Sequence, residues 1–173
     1  DEVTIEPEGI VADVVAAAGG RLVSRIRLQK IVYLLHTLGA NTGFSFSYYH
    51  YGPYSRDLDS AVLDAEVFSK ITERFEHRKS DGARYSIFEL DDAINHEYSF
   101  LKDNNLRDHV KKLSATTVTV LELAATAYWL ANEEQVEDWN SEIIKRKGAK
   151  TGAGRLEQAT RLLAELGLKI DNP

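Results

Sequence analysis

Apolar residues near the start of the chain recur at helical spacing. Pro7 suits the first turn of a helix, because its missing N–H would have no partner there. The apolar positions that follow share one helical face; they are Ile10, Val11, Val14, Val15 and Ala18. Gly19 and Gly20 then end the segment. The pattern predicts a first helix over residues 7–18.

A second apolar stripe follows Ser24, a suitable N-cap because its hydroxyl can accept a free backbone N–H. The stripe repeats at intervals of three and four residues; its members are Leu28, Ile31, Val32, Leu35 and Leu38. Gly39 suits the left-handed conformation that commonly ends a helix. We therefore predict a second helix between Ser24 and Gly39.

The pattern then changes to period two, and alternation with many aromatic residues predicts a short strand. One face would carry Phe44, Phe46, Tyr48 and His50, and the other Ser45, Ser47, Tyr49 and Tyr51. We expect Gly52 and Pro53 to break this strand. Ser55 would cap a third helix, whose apolar face comprises Leu58, Ala61, Val62 and Ala65.

A β-hairpin is predicted next, because residues 70–79 and 83–90 flank the turn Ser80-Asp81-Gly82 and Asp-Gly favours hairpin turns. Its candidate inward residues are Ile71, Phe75, Tyr85 and Ile87. Two helices, a short strand, a third helix and a hairpin follow one another in the order of a winged helix.

From residue 91 onward the chain has a helical pattern. Its apolar positions include Ile94, Tyr98, Leu101, Leu106, Val110, Leu113, Val118, Leu121, Ala125, Trp129, Val136, Trp139, Ile143, Ile144, Leu156, Ala159, Leu162, Leu163 and Leu166. The predicted fold class is mainly α (α+β). A winged-helix-like region with a hairpin wing spans residues 1–90. A helical extension over 91–173 packs on it as one structural unit.

Composition restricts the class of protein. The chain has no cysteine, which excludes disulfides, thiolate metal ligands and cysteine nucleophiles and fits a reducing compartment. Its acidic first residues lack the basic and apolar regions of a secretory signal, so we expect a cytoplasmic location. Residues 31–55 carry no Asp, Glu, Lys or Arg, but glycine, proline and other polar residues interrupt them, so we expect no membrane span.

Enzyme is the class with the least support. The histidines have no spacing typical of a metal site; they are His36, His50, His77, His96 and His109. Residues 144–152 fail as a phosphate-binding P-loop, because Ile144 and Ala149 stand where glycine is required. We find no serine elbow, kinase or dinucleotide motif. We therefore predict no catalytic residue, metal or cofactor, and a flexible basic loop containing Lys145, Arg146, Lys147, Lys150 and Arg155.

Part of the chain resembles a known family. Leu28, Lys30 and Tyr33, followed by Phe46 and by Tyr51-Gly52-Pro53, are similar to the signature of the Panacea antitoxin superfamily. The run YYHYGPYSRDL at 48–58 is more similar still to YwgA-like proteins, which have no established activity. The resemblance covers residues 25–63, with weaker similarity in the hairpin and in 121–130. For Panacea members it implies a small protein, typically encoded beside a toxin, that neutralises it; at least one branch delivers its toxin to a protease. This chain departs from those members in its C-terminal half.

The leading hypothesis is a non-catalytic protein-binding module, such as the antitoxin of a toxin–antitoxin pair. Tyrosine is favoured at interface hot spots, and four tyrosines lie within residues 48–54. The candidate protein-binding residues are Tyr49, Tyr51, Tyr54, Arg56, Asp57 and Asp59. Because the third helix is acidic, we expect a basic protein partner, for instance a cognate toxin.

Two alternatives remain open. The first is a winged-helix transcriptional regulator that binds DNA through the wing and a basic patch, with Arg25, Arg27, Lys30, Arg78 and Lys79 as candidate contacts. The net charge of −6 and the carboxylates of the third helix disfavour it, because they repel phosphates. The second is an accessory protein of a mobile element or a defence system. A homodimer that buries the apolar C-terminal helices is compatible with each hypothesis.

Overall fold

The computed structural model describes residues 5–171 and shows a mainly α protein with two small antiparallel sheets. The helices are α1 (Pro7–Ala17), α2 (Arg25–Thr37), α3 (Arg56–Val67), α4 (Asn104–Ser114), α5 (Val118–Tyr128), α6 (Trp139–Lys147) and α7 (Arg155–Glu165). The strands are β1 (Arg21–Val23), β2 (Ser47–Tyr49), β3 (Gly52–Tyr54), β4 (Thr72–His77) and β5 (Arg84–Glu89). A π-helical turn, Trp129–Glu133, extends α5.

The first three helices form where the sequence predicts them. Ser24 accepts the backbone N–H of Arg27, and Ser55 accepts that of Leu58, each at 3.3 Å, so both predicted N-caps are confirmed. The buried residues of α3 are the predicted Leu58, Ala61, Val62 and Ala65. This local agreement fixes which face of α3 is free to meet another molecule.

The predicted β4–β5 hairpin is confirmed, and it carries a third strand that the sequence did not indicate. β1 pairs with β5, with Leu22 opposite Phe88, so the strand order is β1-β5-β4. Three residues are too few to show a period-two pattern. The inward placement predicted for Phe75 is wrong: Phe75 lies opposite Ser86, nearer the turn than Phe88, and is about half exposed.

The aromatic strand ends earlier than predicted, at Tyr49, before it reaches Gly52 and Pro53. They form β3, which folds back on β2 and pairs Tyr49 with Gly52 and Tyr48 with Pro53. The positive φ of Gly52, +94°, allows the chain to reverse there. Phe44 and Phe46 precede β2, and Phe46 packs edge-on against Tyr33 of α2 at 5.2 Å between ring centroids.

The helix predicted around Ile94 is also wrong. Residues 91–103 hold only a short 3₁₀ turn, Ala93–Asn95, and Ile94 is 96% exposed. The cause is the buried carboxylate of Asp13 in α1. Its Oδ2 accepts the backbone N–H groups of Ser99, Phe100 and Leu101 at 3.1, 2.6 and 2.9 Å. Such bonds replace the helical ones and hold this segment against α1.

Residues from both halves of the chain contribute to one hydrophobic cluster. α5 packs against α2 and α7, and α4 packs against α1 and α2. The β2–β3 hairpin contacts α2 and α5 through β3. Within residues 5–171, no helix combines the length and apolar character needed to cross a bilayer.

Candidate functional site

The β2–β3 hairpin is attached to α2 by a buried lysine. Lys30 is buried, and its Nζ donates a hydrogen bond of 2.6 Å to the carbonyl oxygen of Pro53. On the other side, Gly52 lies so close to α5 that a Cβ there would overlap Oγ1 of Thr126. Lys30 and the Gly52-Pro53 pair occupy separate parts of the sequence signature described above, and in the structure they lie in contact.

A buried carboxylate lies beside this junction. Glu122 of α5 forms two ion pairs: its Oε2 lies 3.2 Å from Nζ of Lys147 and 3.1 Å from Nζ of Lys150. The Lys147 side chain is 4% exposed and that of Lys150 is 45% exposed. The predicted basic loop is not one loop, because Lys147 belongs to α6, Lys150 to a 3₁₀ turn and Arg155 to α7. Arg155 also donates to the carbonyl of Lys150 at 2.7 Å.

Two buried hydroxyls have no polar contact among the described residues. They are the Tyr33 hydroxyl and Oγ1 of Thr126. Burial raises the pKa of Tyr33, so its hydroxyl stays protonated. We call Lys30, Glu122, Thr126 and Lys147 the buried polar cluster. It joins α2, α5, α6 and the hairpin, so it positions the exposed tyrosines of the hairpin. The isolated carboxylate in the otherwise uncharged α5 is the one sequence signal that indicates it.

Lys30 predicts a pH dependence of stability. Burial lowers its pKa to about 7, although the charge of Glu122 raises it and that of Lys147 lowers it further. The unfolded chain, with an ordinary lysine pKa of 10.5, then binds more protons than the folded chain above pH 7. We therefore expect the free energy of unfolding to rise by a few kcal/mol from pH 7 toward 10.5 through Lys30. Urea unfolding at pH 7 and pH 9 measures it.

The matched variant for this prediction is Lys30→Met, which keeps the length of the side chain. The wild type should gain stability relative to Lys30→Met between pH 7 and pH 9. Parallel pH curves of the two proteins would contradict a strongly lowered pKa for Lys30.

The exposed side of the hairpin leads directly onto α3. The rings of Tyr49 and Tyr54 lie 5.4 Å apart, and the Tyr54 hydroxyl donates to Asp59, a bond that raises the pKa of Tyr54. Asp57 accepts the backbone N–H of Ser45 at 2.8 Å. The structure thus brings together most of the predicted protein-binding residues. Tyr51 is separate, since it lies at the turn with Nζ of Lys150 5.2 Å from its ring centroid.

The outer face of α3 carries apolar residues that the sequence analysis missed. Leu63 and Val67 are 58% and 76% exposed, and Phe68, just after the helix, is 62% exposed. At 3.6 residues per turn, Arg56, Ser60, Leu63 and Val67 form the outermost line of the helix. The flanking positions are Asp59 and Glu66 on one side and Asp64 on the other. The sequence indicates this exposed line only through Leu63 and Val67, two large apolar residues outside the buried stripe of α3.

We define the hairpin–α3 surface by these solvent-facing residues. Its members are Tyr49, Tyr54, Arg56, Asp57, Asp59, Leu63, Asp64, Glu66, Val67 and Phe68. The surface combines aromatic rings, an exposed apolar line and carboxylates on both sides of that line.

The five predicted nucleic-acid contacts do not form one basic patch. Lys30 is wrong as a phosphate contact because it is buried. Arg25 forms two hydrogen bonds with Glu73, at 2.9 and 2.8 Å, which raise the pKa of its guanidinium. Arg78, in the turn of the β4–β5 hairpin, pairs with Asp81 at 2.7 Å.

The remaining two cations, Arg27 and Lys79, line the same groove. Arg27 donates to the carbonyls of Val23 and Thr116, and burial lowers the pKa of its guanidinium. Lys79 is exposed in the turn of the β4–β5 hairpin.

Among residues 5–171, no group of three or more histidine, aspartate or glutamate side chains is arranged to hold a metal ion. Comparison with known proteins found no family model that matches the chain and no match among curated proteins.

Proposed function

We propose that this chain is a non-catalytic protein-binding module whose hairpin–α3 surface binds a basic, amphipathic segment of a partner protein. The observation that supports this most is the exposure of Leu63, Val67 and Phe68 on a helix that is otherwise acidic outside. Large apolar side chains that lie together on a surface commonly mark interaction sites.

The surface specifies the chemistry of the partner. An apolar stripe on the partner would cover Leu63 and Val67, as in helix-in-groove recognition. Lysine or arginine residues beside that stripe would face Asp59, Asp64 and Glu66, which favours fast and selective association. Tyr49 and Tyr54 extend the contact onto the hairpin as aromatic anchors.

The resemblance of residues 25–63 to Panacea antitoxins supports a narrower form of the proposal, in which the partner is a cognate toxin. The order α1, β1, α2, β2, β3, α3, β4, β5, with β1 paired to the β4–β5 hairpin, supports the winged-helix assignment. The toxin partner, the winged-helix assignment and a cytoplasmic location are parts of this proposal.

A regulator that reads duplex DNA through α3 has less support. In such proteins this helix enters the major groove, where its outer face meets phosphates and base edges. Here that face carries Asp59, Asp64 and Glu66 beside apolar residues, and only Arg56 is basic. The carboxylates would repel the phosphates.

The proposal predicts that Val67→Asp abolishes partner capture. The tagged chain is used as bait in lysate of its native host, with and without nuclease, and captured proteins are quantified by mass spectrometry. We expect the wild type to retain one small basic protein and Val67→Asp to retain at least about tenfold less, because a charge would replace an apolar contact and be buried in the interface.

Ile94→Asp is the matched control, because Ile94 is more exposed than Val67 and lies outside the hairpin–α3 surface. It should capture the partner as well as the wild type does. Equal recovery by Val67→Asp and the wild type would place the contact elsewhere. Recovery that disappears with nuclease would favour nucleic acid as the ligand.

A further inference from the structure

A second surface lies between the β4–β5 hairpin and the first turn of α2. It is a groove of about 960 Å³. Residues 24–27 form one side and residues 75–79 and 83–86 the other, while Tyr51 and Val118 also line it. We call it the β4–β5 groove. It shares no residue with the hairpin–α3 surface, so its ligand can be tested separately.

The groove has an excess of positive charge. Arg27, Lys79 and Arg84 line it, and none has a carboxylate within ion-pair distance among the described residues. Arg25 and Arg78 differ, because Glu73 and Asp81 neutralise them. On a chain with a net charge of −6, this concentration of unmatched cations indicates an anionic ligand.

The groove also presents two aromatic rings to solvent. Phe75 and Tyr51 are each about half exposed. The guanidinium carbon of Arg84 lies 4.2 Å from the centroid of the Phe75 ring, and Nζ of Lys150 lies 5.2 Å from that of Tyr51. Each ring therefore stands beside a cation. Exposed rings in a cationic groove are the combination with which proteins bind single strands.

We infer that the β4–β5 groove binds single-stranded nucleic acid, with phosphates at Arg27, Lys79 and Arg84 and bases stacked on Phe75 and Tyr51. A duplex would leave both rings without a ligand, because its base faces are already stacked on one another. An acidic peptide would balance the charge but would not make use of the two exposed rings.

Fluorescence anisotropy of labelled ten-nucleotide dT and U strands tests the inference with the full chain. We expect binding at 50 mM salt that weakens about twentyfold at 200 mM salt, as three phosphate contacts to a single strand imply. Phe75→Ala should bind about tenfold more weakly, because it loses one stacking partner. Lys79→Ala should reduce both affinity and salt dependence.

Matched controls keep these effects specific to the groove. Ile94→Ala removes an exposed apolar side chain outside both surfaces, and Lys111→Ala removes an exposed cation on α4; both should bind the strands as the wild type does. A duplex of the same length and a glutamate-rich decapeptide are measured in parallel.

Three results would overturn the inference. The first is no binding of either strand at 50 mM salt, whether or not the acidic peptide binds. The second is equal affinity for the duplex and the single strands, since this would exclude stacking as the source of binding. The third is unchanged affinity of both Phe75→Ala and Lys79→Ala.

Discussion

Replacement of Gly52 by alanine is expected to lower the free energy of unfolding by about 3 kcal/mol or more. Two costs combine at this position. The φ of +94° is one that residues with a Cβ rarely adopt. The new Cβ would also overlap Oγ1 of Thr126, which is fully buried in α5.

Neither partner can relieve this overlap easily. Thr126 is fully buried on α5, and Gly52 is held by the pairing of β3 with β2 and by the bond from Lys30 to Pro53. We expect the hairpin to move away from α5, which would weaken the Lys30–Pro53 hydrogen bond and displace Tyr49 and Tyr54. The substitution should therefore reduce partner capture as well as stability.

Urea unfolding measures the effect, and Gly39→Ala provides a matched control. Gly39 has φ of +96° but open space around its Cβ position, so its substitution reports the backbone cost alone, about 1–2 kcal/mol. The double variant Gly52→Ala/Thr126→Ala removes the overlapping oxygen and should recover part of the loss. Equal losses for Gly52→Ala and Gly39→Ala would show that contact with Thr126 contributes nothing.

The second large effect is expected for Glu122→Gln, which should lower the free energy of unfolding by about 3 kcal/mol at pH 7. The substitution keeps the shape of the side chain but removes its charge. Lys147 would then be a buried cation without its partner, and removal of one member of a buried ion pair is strongly destabilising.

The deficit of Glu122→Gln should decrease as the pH rises. Burial lowers the pKa of Lys147 in the folded protein, and Glu122 opposes this, so the pKa falls further in the variant. A lysine whose folded pKa is depressed destabilises the folded state most at low pH, and the cost disappears toward pH 10.5. Urea midpoints at pH 6, 7.5 and 9 should therefore converge on those of the wild type.

Lys147→Met and Lys150→Met separate burial from proximity, because both lysines lie within 3.2 Å of the same carboxylate. Lys150 is far more exposed, so its loss should cost only about 0.5–1 kcal/mol. Lys147→Met leaves Glu122 with one solvent-screened partner and should cost more. If the two substitutions have equal effects, burial of Lys147 does not determine the strength of this contact.

The elements that form from local signals are those the sequence predicts well. α1, α2 and α3 follow from apolar periodicity and the caps Ser24 and Ser55, and the β4–β5 hairpin follows from its Asp-Gly turn. Where a distant group replaces the local hydrogen bonds, the prediction fails. Residues 91–103 have helical spacing, yet they bond to Asp13 more than 80 positions earlier.

The candidate site divides in the same way. Composition pointed to Tyr49, Tyr54 and Asp59, and the structure places them side by side. Lys30 was assigned to a basic patch, because the sequence cannot show that its Nζ reaches the carbonyl of Pro53, 23 positions later. The exposure of Leu63 and Val67 could not be predicted, because it depends on what packs against α3.

Local sequence is enough to predict the mainly α class, the inward face of α3 and the acidic character of its outward face, since these depend on residues within a few turns of one another. Which charges are buried depends on tertiary packing. The hydrogen bond of Lys30 and the ion pairs of Glu122 each join segments that lie far apart in the chain. The unmatched cations of the β4–β5 groove also come from distant segments. Burial changes the free energy of a charge far more than its local sequence does, so their roles followed from packing.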